Sequence, residues 1–174
     1  MPKNFDPTSV GRPQSSFPLM VQNVDAVIFD VDGILTDGAV YVDSFGHETK
    51  RILFDDIDAI FALRRAGMKI GFITAENTGF CEYVRRRFEP DFFLSGCKDK
   101  LAAFKELSQK TGLEKDRVVY AGDSRKDIEL LKYVGRSFAP SDVDSQIQSA
   151  ATVVLRSRRG QGVIREIAQD LLGS

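Results

Sequence analysis

Closely spaced aspartates are the residues of this sequence whose types and positions are best suited to chemistry. Asp30 and Asp32 stand two positions apart, and Gly33 follows them directly. A glycine at this place permits a tight turn that aims both carboxylates at one point, where the repulsion between them calls for a cation. Mg²⁺ is a hard cation that takes oxygen ligands readily. Aspartates also cap strands and begin turns, so this motif alone leaves a metal site and a structural turn equally open.

Further segments carry polar residues suited to binding a phosphate or a metal. Thr74 ends an apolar run, and Lys100 stands at the start of a predicted helix. A lysine there runs against the helix macrodipole, which indicates a nearby anion, although a solvated surface lysine remains open. Asp123 and Asp127 both lie in the segment Gly-Asp-Ser-Arg-Lys-Asp. Because ligands of open α/β sheets bind beyond the carboxyl ends of the strands, the order of these segments predicts one site.

Apolar runs that alternate with helical patterns must position these side chains. Near-continuous apolar runs are typical of strands buried on both faces, as in a parallel sheet. We predict four such strands, at residues 24–30, 68–74, 118–123 and 152–155. Apolar residues recur with helical spacing at Leu101, Phe104 and Leu107, and again over Val163–Leu172. The alternation predicts an α/β fold, a three-layer, Rossmann-like open parallel sheet with helices on both faces.

The segment over residues 39–53 interrupts this alternation. Residues 39–42 and 47–53 form two short strand patterns about the turn Asp-Ser-Phe-Gly. A crossover at this place would need only a loop, so we predict a β-hairpin inserted directly after the first strand. His47, the single histidine of the chain, lies on this hairpin. We interpret it as a solvated polar residue rather than as a catalytic base.

Length and composition limit the number of domains. The chain has 174 residues, of which 43% are hydrophobic. That is enough for one domain with a real core and leaves little for a second. Residues 1–22 carry four prolines and show no hydrophobic period. We therefore predict a flexible N-terminal arm over residues 1–22 and one domain over residues 23–174.

Charge, hydropathy and cysteines bear on partners and location. The sequence has 24 basic and 25 acidic residues, for a formal net charge of −1, which argues against a nucleic-acid or anionic-membrane binder. No apolar run approaches the roughly 20 residues that span a bilayer, and the first residues lack the apolar stretch of a secretory signal.

The two cysteines of the sequence, Cys81 and Cys97, fit no metal-binding pattern. One disulfide remains formally open, but two thiols in a reducing cytoplasm are favoured, so we predict a cytoplasmic protein.

Taken together, the motifs resemble those of a known enzyme family. The resemblance rests on four motifs in the family's order, namely Asp30-Val-Asp32-Gly33, Thr74, Lys100, and Gly122-Asp123 with Asp127. They are similar to the motifs of the haloacid-dehalogenase-like phosphohydrolases. The hairpin in place of a cap domain and the C-terminal segment Gly-Gln-Gly-Val-Ile-Arg-Glu resemble a capless branch, the 3-deoxy-manno-octulosonate 8-phosphate phosphatases. Relatives of that branch act on nine-carbon ulosonate phosphates or form the C-terminal domain of animal CMP-sialate synthetases.

The resemblance implies roles for the catalytic residues. Asp30 is expected to be the nucleophile that forms an aspartyl-phosphate intermediate. Asp32 is expected to protonate the leaving oxygen and then to take a proton from the water that hydrolyses the intermediate. Thr74 and Lys100 are expected to hold the phosphoryl oxygens and to stabilise the developing charge. The implied substrate is a small phosphorylated sugar acid, as in the biosynthesis of lipopolysaccharide or of sialic-acid-type sugars.

The resemblance also implies a Mg²⁺ site. The carboxylates of Asp30 and Asp123 and the backbone carbonyl of Asp32 are the expected protein ligands. Asp127 is expected to lie behind them and to orient Lys100 or a metal-bound water. Waters and the substrate phosphate would complete the coordination.

Six positions depart from the octulosonate-phosphatase pattern. They are Asp55, Ile57, Ala59, Ala75, Glu76 and Arg159. Asp55 and Glu76 replace positive charges by negative ones, and the other four replace glycines by residues with side chains. These changes bear on which leaving group is bound and leave the phosphoryl-transfer residues intact.

Apolar side chains on the predicted hairpin bear on assembly. A lone two-stranded hairpin cannot bury Val40, Val42, Ile52 and Phe54. Packing hairpins from several subunits together would bury these side chains and the exposed strand edges. By resemblance to the capless branch we predict a homotetramer, in which the hairpin or the basic C-terminal segment (Arg156, Arg158, Arg159) meets a neighbouring subunit's cleft.

Two functions other than a Mg²⁺-dependent phosphatase are open to this sequence. A non-catalytic assembly module like the C-terminal domain of CMP-sialate synthetase can keep the fold while it loses motif residues, but this chain keeps them all. A receiver-like phosphorylation switch also places aspartates and a threonine–lysine pair on an α/β sheet. The acids Asp30 and Asp32 at the end of one strand and the Gly-Asp-xxx-Asp motif argue against that switch. The phosphatase is the favoured prediction.

Overall fold

The apolar runs of the sequence form the strands of one parallel sheet. The computed structural model describes residues 24–173, so the predicted arm over residues 1–22 lies outside the described residues. The six strands of this sheet are β1 (Ala26–Phe29), β4 (Lys69–Ile73), β5 (Phe92–Leu94), β6 (Val118–Ala121), β7 (Arg136–Ala139) and β8 (Val153–Val154). Their spatial order is β5-β4-β1-β6-β7-β8, and every pairing is parallel.

Helices cover both faces of the sheet. They are α1 (Phe54–Arg65), α2 (Gly79–Phe88), α3 (Lys100–Thr111), α4 (Ile128–Tyr133), α5 (Ser145–Gln148) and α6 (Val163–Leu172). The helices α1, α2 and α6 share one buried apolar cluster with the sheet, and α3, α4 and α5 share the other. The predicted three-layer α/β architecture is confirmed. The two predicted helical faces are also confirmed, with Phe104 buried on α3 and Ile167 buried on α6.

The register of the three central strands sets the location of the site. Phe29, the last residue of β1, pairs with Phe72 of β4 and with Ala121 of β6. All three strands therefore end at one level, because the carboxyl ends of parallel strands share an edge. The strand β1 is completely buried, as its uninterrupted apolar sequence predicts. The polar residues that follow these strands meet at this edge.

The predicted hairpin is present and is shorter than its sequence pattern. Its strands are β2 (Tyr41–Val42) and β3 (Glu48–Thr49), which pair antiparallel. Ile52 forms a single bridge with Thr36 and packs against the core, and Phe54 is already the first residue of α1. The prediction that Ile52 and Phe54 belong to the hairpin strands is therefore wrong.

The sequence-based prediction missed two strands, β5 and β7. The strand β5 has only three residues and all are half-buried, which leaves little periodic signal. In β7 the buried residue Ser137 interrupts the apolar pattern. Its polar groups are satisfied because Ser137 and Thr152 bind each other through backbone and hydroxyl groups at 2.7–3.1 Å.

The helices of residues 24–173 include none with the length and apolar character of a membrane-spanning segment.

Candidate active site

The turn that follows β1 presents Asp30 at the edge of the sheet. Its backbone is extended, and its buried carboxylate accepts a hydrogen bond of 2.7 Å from the N–H of Val31. Gly33 has a φ of +94°, which favours glycine. A Cβ at residue 33 would also lie 1.9 Å from a carboxylate oxygen of Asp123. The glycine of the motif is thus needed both for the turn and for the approach of the acid that follows β6.

Lys100 joins the two acidic motifs. Its side chain is 2% exposed, and its Nζ lies 2.8 Å from Oδ1 of Asp30 and 2.6 Å from Oδ1 of Asp127. Asp99 caps α3 by accepting from the N–H of Ala102, so the lysine is held at the first turn of the helix. Burial alone would lower the pKa of the Lys100 ammonium, but the attraction of Asp30 and Asp127 outweighs it and the pKa lies above its ordinary value.

Asp127 is held from several sides. Besides Lys100, the hydroxyl of Tyr120 donates to its Oδ1, and the N–H and hydroxyl of Ser124 donate to its Oδ2. Gly122 permits this packing, because a Cβ there would lie 2.5 Å from the Asp127 side chain. Both oxygens of Asp127 are therefore occupied by protein donors, and the residue acts as an anchor for Lys100.

The electrostatics of the site favour a cation. Oxygens of Asp30, Asp123 and Asp127 lie within 4.8 Å of one another. Burial, followed by the repulsion of Asp127, raises the pKa of Asp30 well above its ordinary value, although Lys100 opposes this. Burial and the repulsion of Asp127 also raise the pKa of Asp123, to about 6, against the attraction of Arg159 and Lys100. A divalent cation between Asp30 and Asp123 would relieve this repulsion, so the residues present fit the Mg²⁺ that the motifs imply.

A cleft of about 330 Å³ opens above these acids, and Asp32, Thr74 and Lys100 all line it. Thr74 is buried, and its hydroxyl accepts a hydrogen bond of 3.1 Å from the N–H of Glu76. Its own N–H donates to the carbonyl of Leu94 in β5. The structure therefore brings all six predicted site residues to one edge of the sheet.

Lys50 is a site residue that the sequence analysis missed. Its Nζ lies 2.6 Å from Oδ1 of Asp32, its side chain is 5% exposed, and it stands 5.2 Å from the ring centre of Phe80. Lys50 follows β3 and is 18 residues from Asp32 along the chain. No motif marks it, and only the fold of the hairpin over the β1 turn brings the two residues together.

Arg159 also enters the cleft. Its Nη1 lies 3.5 Å from Oδ2 of Asp123, and its Nε lies 3.4 Å from Oδ2 of Asp142. The guanidinium of Arg159 thus contacts the site of its own chain, and contact of the hairpin or of this basic segment with a neighbouring subunit's cleft stays a prediction. Gly160, with a φ of +66°, lets the segment approach the β1 turn, since a Cβ there would lie 2.4 Å from the Cβ of Asp37.

The remaining departures from the family pattern divide into two groups. Ala75 and Glu76 line the cleft. Ile57 and Ala59 lie on α1 and are buried in the core, and Asp55 forms an ion pair of 2.7 Å with Arg165 on α6. Asp55, Ile57 and Ala59 therefore lie outside the acidic cleft of their own chain, and the effect of the six changes on leaving-group binding stays a prediction.

His47 lies away from the cleft, as expected of a solvated residue. Its side chain is 79% exposed, and its Nδ1 is 2.9 Å from Oδ2 of Asp43. Asp43 also accepts from the N–H groups of Phe45 and His47, so this pair closes the tip of the hairpin.

Comparisons with known proteins agree with this geometry. Residues 92–167 match the family model described as haloacid dehalogenase-like hydrolase. The 3-deoxy-D-manno-octulosonate 8-phosphate phosphatase KdsC of Escherichia coli strain K12 is 29% identical over 151 residues, which cover 87% of this chain and 80% of that protein.

Solved structures of such phosphatases are also similar. The enzyme from Moraxella catarrhalis, in complex with magnesium, phosphate and KDO, has a TM-score of 0.83 and 25% identity, with 88% of each chain covered. The cobalt-bound deoxy-D-mannose-octulosonate 8-phosphate phosphatase of Haemophilus influenzae has a TM-score of 0.82 and 27% identity, with 88% of this chain and 90% of that chain covered.

Proposed function

We propose that this chain is a Mg²⁺-dependent phosphatase of a 3-deoxy-ulosonate phosphate. The chain belongs to the haloacid dehalogenase-like hydrolases and is a phosphoric monoester hydrolase. The substrate would be an octulosonate or a nonulosonate phosphate. One observation carries the mechanism: a buried lysine, Lys100, bonded to both Asp30 and Asp127 at the floor of an acidic cleft. The names of the similar phosphatases support the substrate class.

In the proposed reaction Asp30 is the nucleophile. A carboxylate oxygen of Asp30 attacks phosphorus in line with the leaving oxygen and forms an aspartyl-phosphate. Lys100 and the hydroxyl of Thr74 stabilise the charge that develops on the phosphoryl oxygens. Because Asp127 is fixed by Tyr120 and by Ser124, it keeps the ammonium of Lys100 in place during the reaction.

Asp32 is the proposed acid and base. It gives its proton to the leaving oxygen as the bond from that oxygen to phosphorus breaks. In the second half-reaction it takes a proton from the water that attacks phosphorus, and Asp30 is released with inorganic phosphate as the product. The position of Asp32 on the cleft, two residues after Asp30, supports this role.

The carboxylates of Asp30 and Asp123 and the backbone carbonyl of Asp32 are the groups that would hold Mg²⁺. When bound, this ion supplies charge neutralisation for the phosphate as it approaches the acidic cleft. The raised pKa values of Asp30 and Asp123 support the site, because burial and the repulsion of Asp127 outweigh the attraction of the nearby cations for both carboxyls.

We also propose that the enzyme is a cytoplasmic homotetramer. Tyr41, Val42 and Phe45 of the hairpin are 57%, 62% and 85% exposed, which is the apolar surface that packing between subunits would bury. The cysteines Cys81 and Cys97 are both free, in keeping with a reducing compartment.

A substrate panel tests the proposed function. The full chain is assayed for phosphate release from an octulosonate 8-phosphate, nonulosonate 9-phosphates, an aldose 6-phosphate and an aryl phosphate, each with and without Mg²⁺. We expect kcat/KM for one ulosonate phosphate to exceed that for the aldose phosphate by at least about tenfold. Equal rates on ulosonate and aldose phosphates would contradict the substrate class, and the ratio between the two ulosonates assigns the chain length.

A further inference from the structure

Lys50 is buried against the acid and base of the proposed reaction. Its ammonium lies 2.6 Å from Oδ1 of Asp32, and its side chain is only 5% exposed. The ammonium also lies 5.2 Å from the ring centre of Phe80 on α2. Burying an ammonium is costly unless a carboxylate compensates it, so this pair is held tightly once the hairpin has folded over the turn.

The orientation of the Asp32 carboxylate depends on Lys50 more than the orientation of the Asp30 carboxylate depends on any one donor. The carboxylate of Asp30 receives both the N–H of Val31 and the ammonium of Lys100. Among residues 24–173, Lys50 is the one hydrogen-bond donor to Asp32, whose Oδ2 is shielded from solvent and has no partner. Without Lys50, no hydrogen bond from the described residues would orient the Asp32 side chain.

We propose that Lys50 is a positioning residue that holds Asp32 in the orientation needed for proton transfer to the leaving oxygen and from water. The inference rests on the proposed function, since it assumes that Asp32 is the acid and base. Lys50 keeps its own proton throughout. In the first half-reaction the Asp32 proton moves to the leaving oxygen as its bond to phosphorus breaks, and in the second a water proton returns to Asp32.

A direct role of Lys50 toward the substrate does not fit the geometry. Its buried ammonium pairs with Asp32 and lies beside the ring of Phe80, and Lys50 lines a neighbouring cavity next to α1 and α2 instead of the acidic cleft. Lys100 already supplies a buried ammonium next to Asp30. Lys50 therefore acts through Asp32.

The dependence of the rate on the leaving group tests this inference. An alkyl phosphate such as a sugar phosphate needs a proton on its leaving oxygen, whereas p-nitrophenolate departs without one. The ratio kcat/KM reports only the steps up to the first irreversible one, which is aspartyl-phosphate formation. We expect Lys50→Met to lower kcat/KM for the alkyl phosphate by roughly 10- to 100-fold and for p-nitrophenyl phosphate by less than about threefold.

Three further variants complete the experiment. Lys50→Arg, which keeps the charge, is expected to restore part of the rate on the alkyl phosphate. Lys110→Met removes a lysine with an equally short ion pair, 2.6 Å to Glu106, on the exposed face of α3, and is expected to match the wild type. If Lys50→Met does not fold, Lys50→Gln carries the same comparison.

A double-mutant cycle with Asp32→Asn separates the possible failures. We expect Lys50→Met to cause no further loss on the alkyl phosphate when Asp32 is already asparagine. Equal losses on both phosphates, or additive losses in the cycle, would overturn the inference. If kcat/KM on the alkyl phosphate falls in Asp32→Asn but stays at the wild-type value in Lys50→Met, the inference is overturned and the proposed function is left intact. An Asp32→Asn variant with the wild-type rate on the alkyl phosphate would overturn the inference and the acid–base role of Asp32, whereas failure of the wild type to release phosphate would overturn the proposed function.

Discussion

Asp30 is the residue on which the proposed chemistry depends most directly. It is buried, its carboxylate is oriented by the N–H of Val31, and Lys100 faces it from α3. We expect Asp30→Asn to abolish turnover while the protein still folds, because an amide of the same shape cannot attack phosphorus. Phosphate release and thermal unfolding are measured together. Asp116→Asn, an exposed aspartate paired with Lys115, serves as the control. Retention of more than a few per cent of the activity would refute the nucleophile assignment.

The paired acids Asp30 and Asp123 make activity dependent on a divalent cation. We expect excess chelator to remove phosphatase activity and Mg²⁺ to restore it, because the buried carboxylates repel each other and the substrate phosphate. Asp123→Asn should raise the Mg²⁺ concentration for half-maximal activity by about tenfold or more. Undiminished hydrolysis in chelator would rule out the metal role of both residues.

Arg159 is the positive charge that this chain adds to its cleft where the family pattern has glycine. We expect Arg159→Ala to raise KM for the ulosonate phosphate by roughly five- to tenfold, because the guanidinium attracts the carboxylate of a sugar acid. kcat on p-nitrophenyl phosphate should change little. Arg156→Ala is the matched control, since Arg156 lies three residues away and is 98% exposed. An unchanged KM in Arg159→Ala would exclude Arg159 from substrate binding.

A buried carboxyl joins α1 to α6. Asp56 is fully buried, and its Oδ1 accepts a hydrogen bond of 2.8 Å from the N–H of Arg165. Gly162, which precedes α6, has a φ of +89° and no side chain to cap the helix. Asp56 therefore caps the first turn of α6 from another helix. Burial outweighs the hydrogen bond from Arg165 and raises the pKa of Asp56 to about 6.

This pKa shift predicts a pH-dependent stability. A carboxyl whose pKa is raised on folding binds its proton more tightly in the folded state, so its contribution is present below about pH 4 and is lost as the pH rises through about 6. We expect wild type to lose about 2 kcal/mol relative to Asp56→Asn between about pH 4.5 and pH 7.5. Urea unfolding of both proteins measures the difference, with Asp58→Asn, an exposed aspartate of α1, as the control. A pH-independent difference would contradict the shift.

The hairpin exposes apolar side chains that a single chain does not bury. Its apolar side chains continue to Phe54 at the start of α1, which is 75% exposed. We expect a tetramer by light scattering, and a smaller species for Val42→Asp, because a carboxylate would then have to be buried between subunits. Glu48→Asp, on the neighbouring strand, should leave the mass unchanged. A monomeric mass for the wild type at full activity would overturn the predicted assembly.

The order of the motifs and the architecture could both be predicted from the sequence. Asp30, Thr74 and Asp123 each follow a near-continuous apolar run, and parallel strands of that kind end at one edge. Local sequence was enough here because a strand and the residue that follows it are covalently joined. The three-residue β5 and the serine-containing β7 were missed, since their strand identity depends on neighbouring strands.

Contacts between residues that are far apart along the chain depend on the tertiary structure. Lys50 meets Asp32 across 18 residues, Arg159 meets Asp123 across 36, and Arg165 meets Asp56 across 109. In each pair the two residues lie in different elements, and neither has a local pattern that marks its partner. Such pairs form only when the packing of the layers fixes which side chains share a buried space, because the energy of an ion pair or a cap depends on distance and burial and not on sequence spacing.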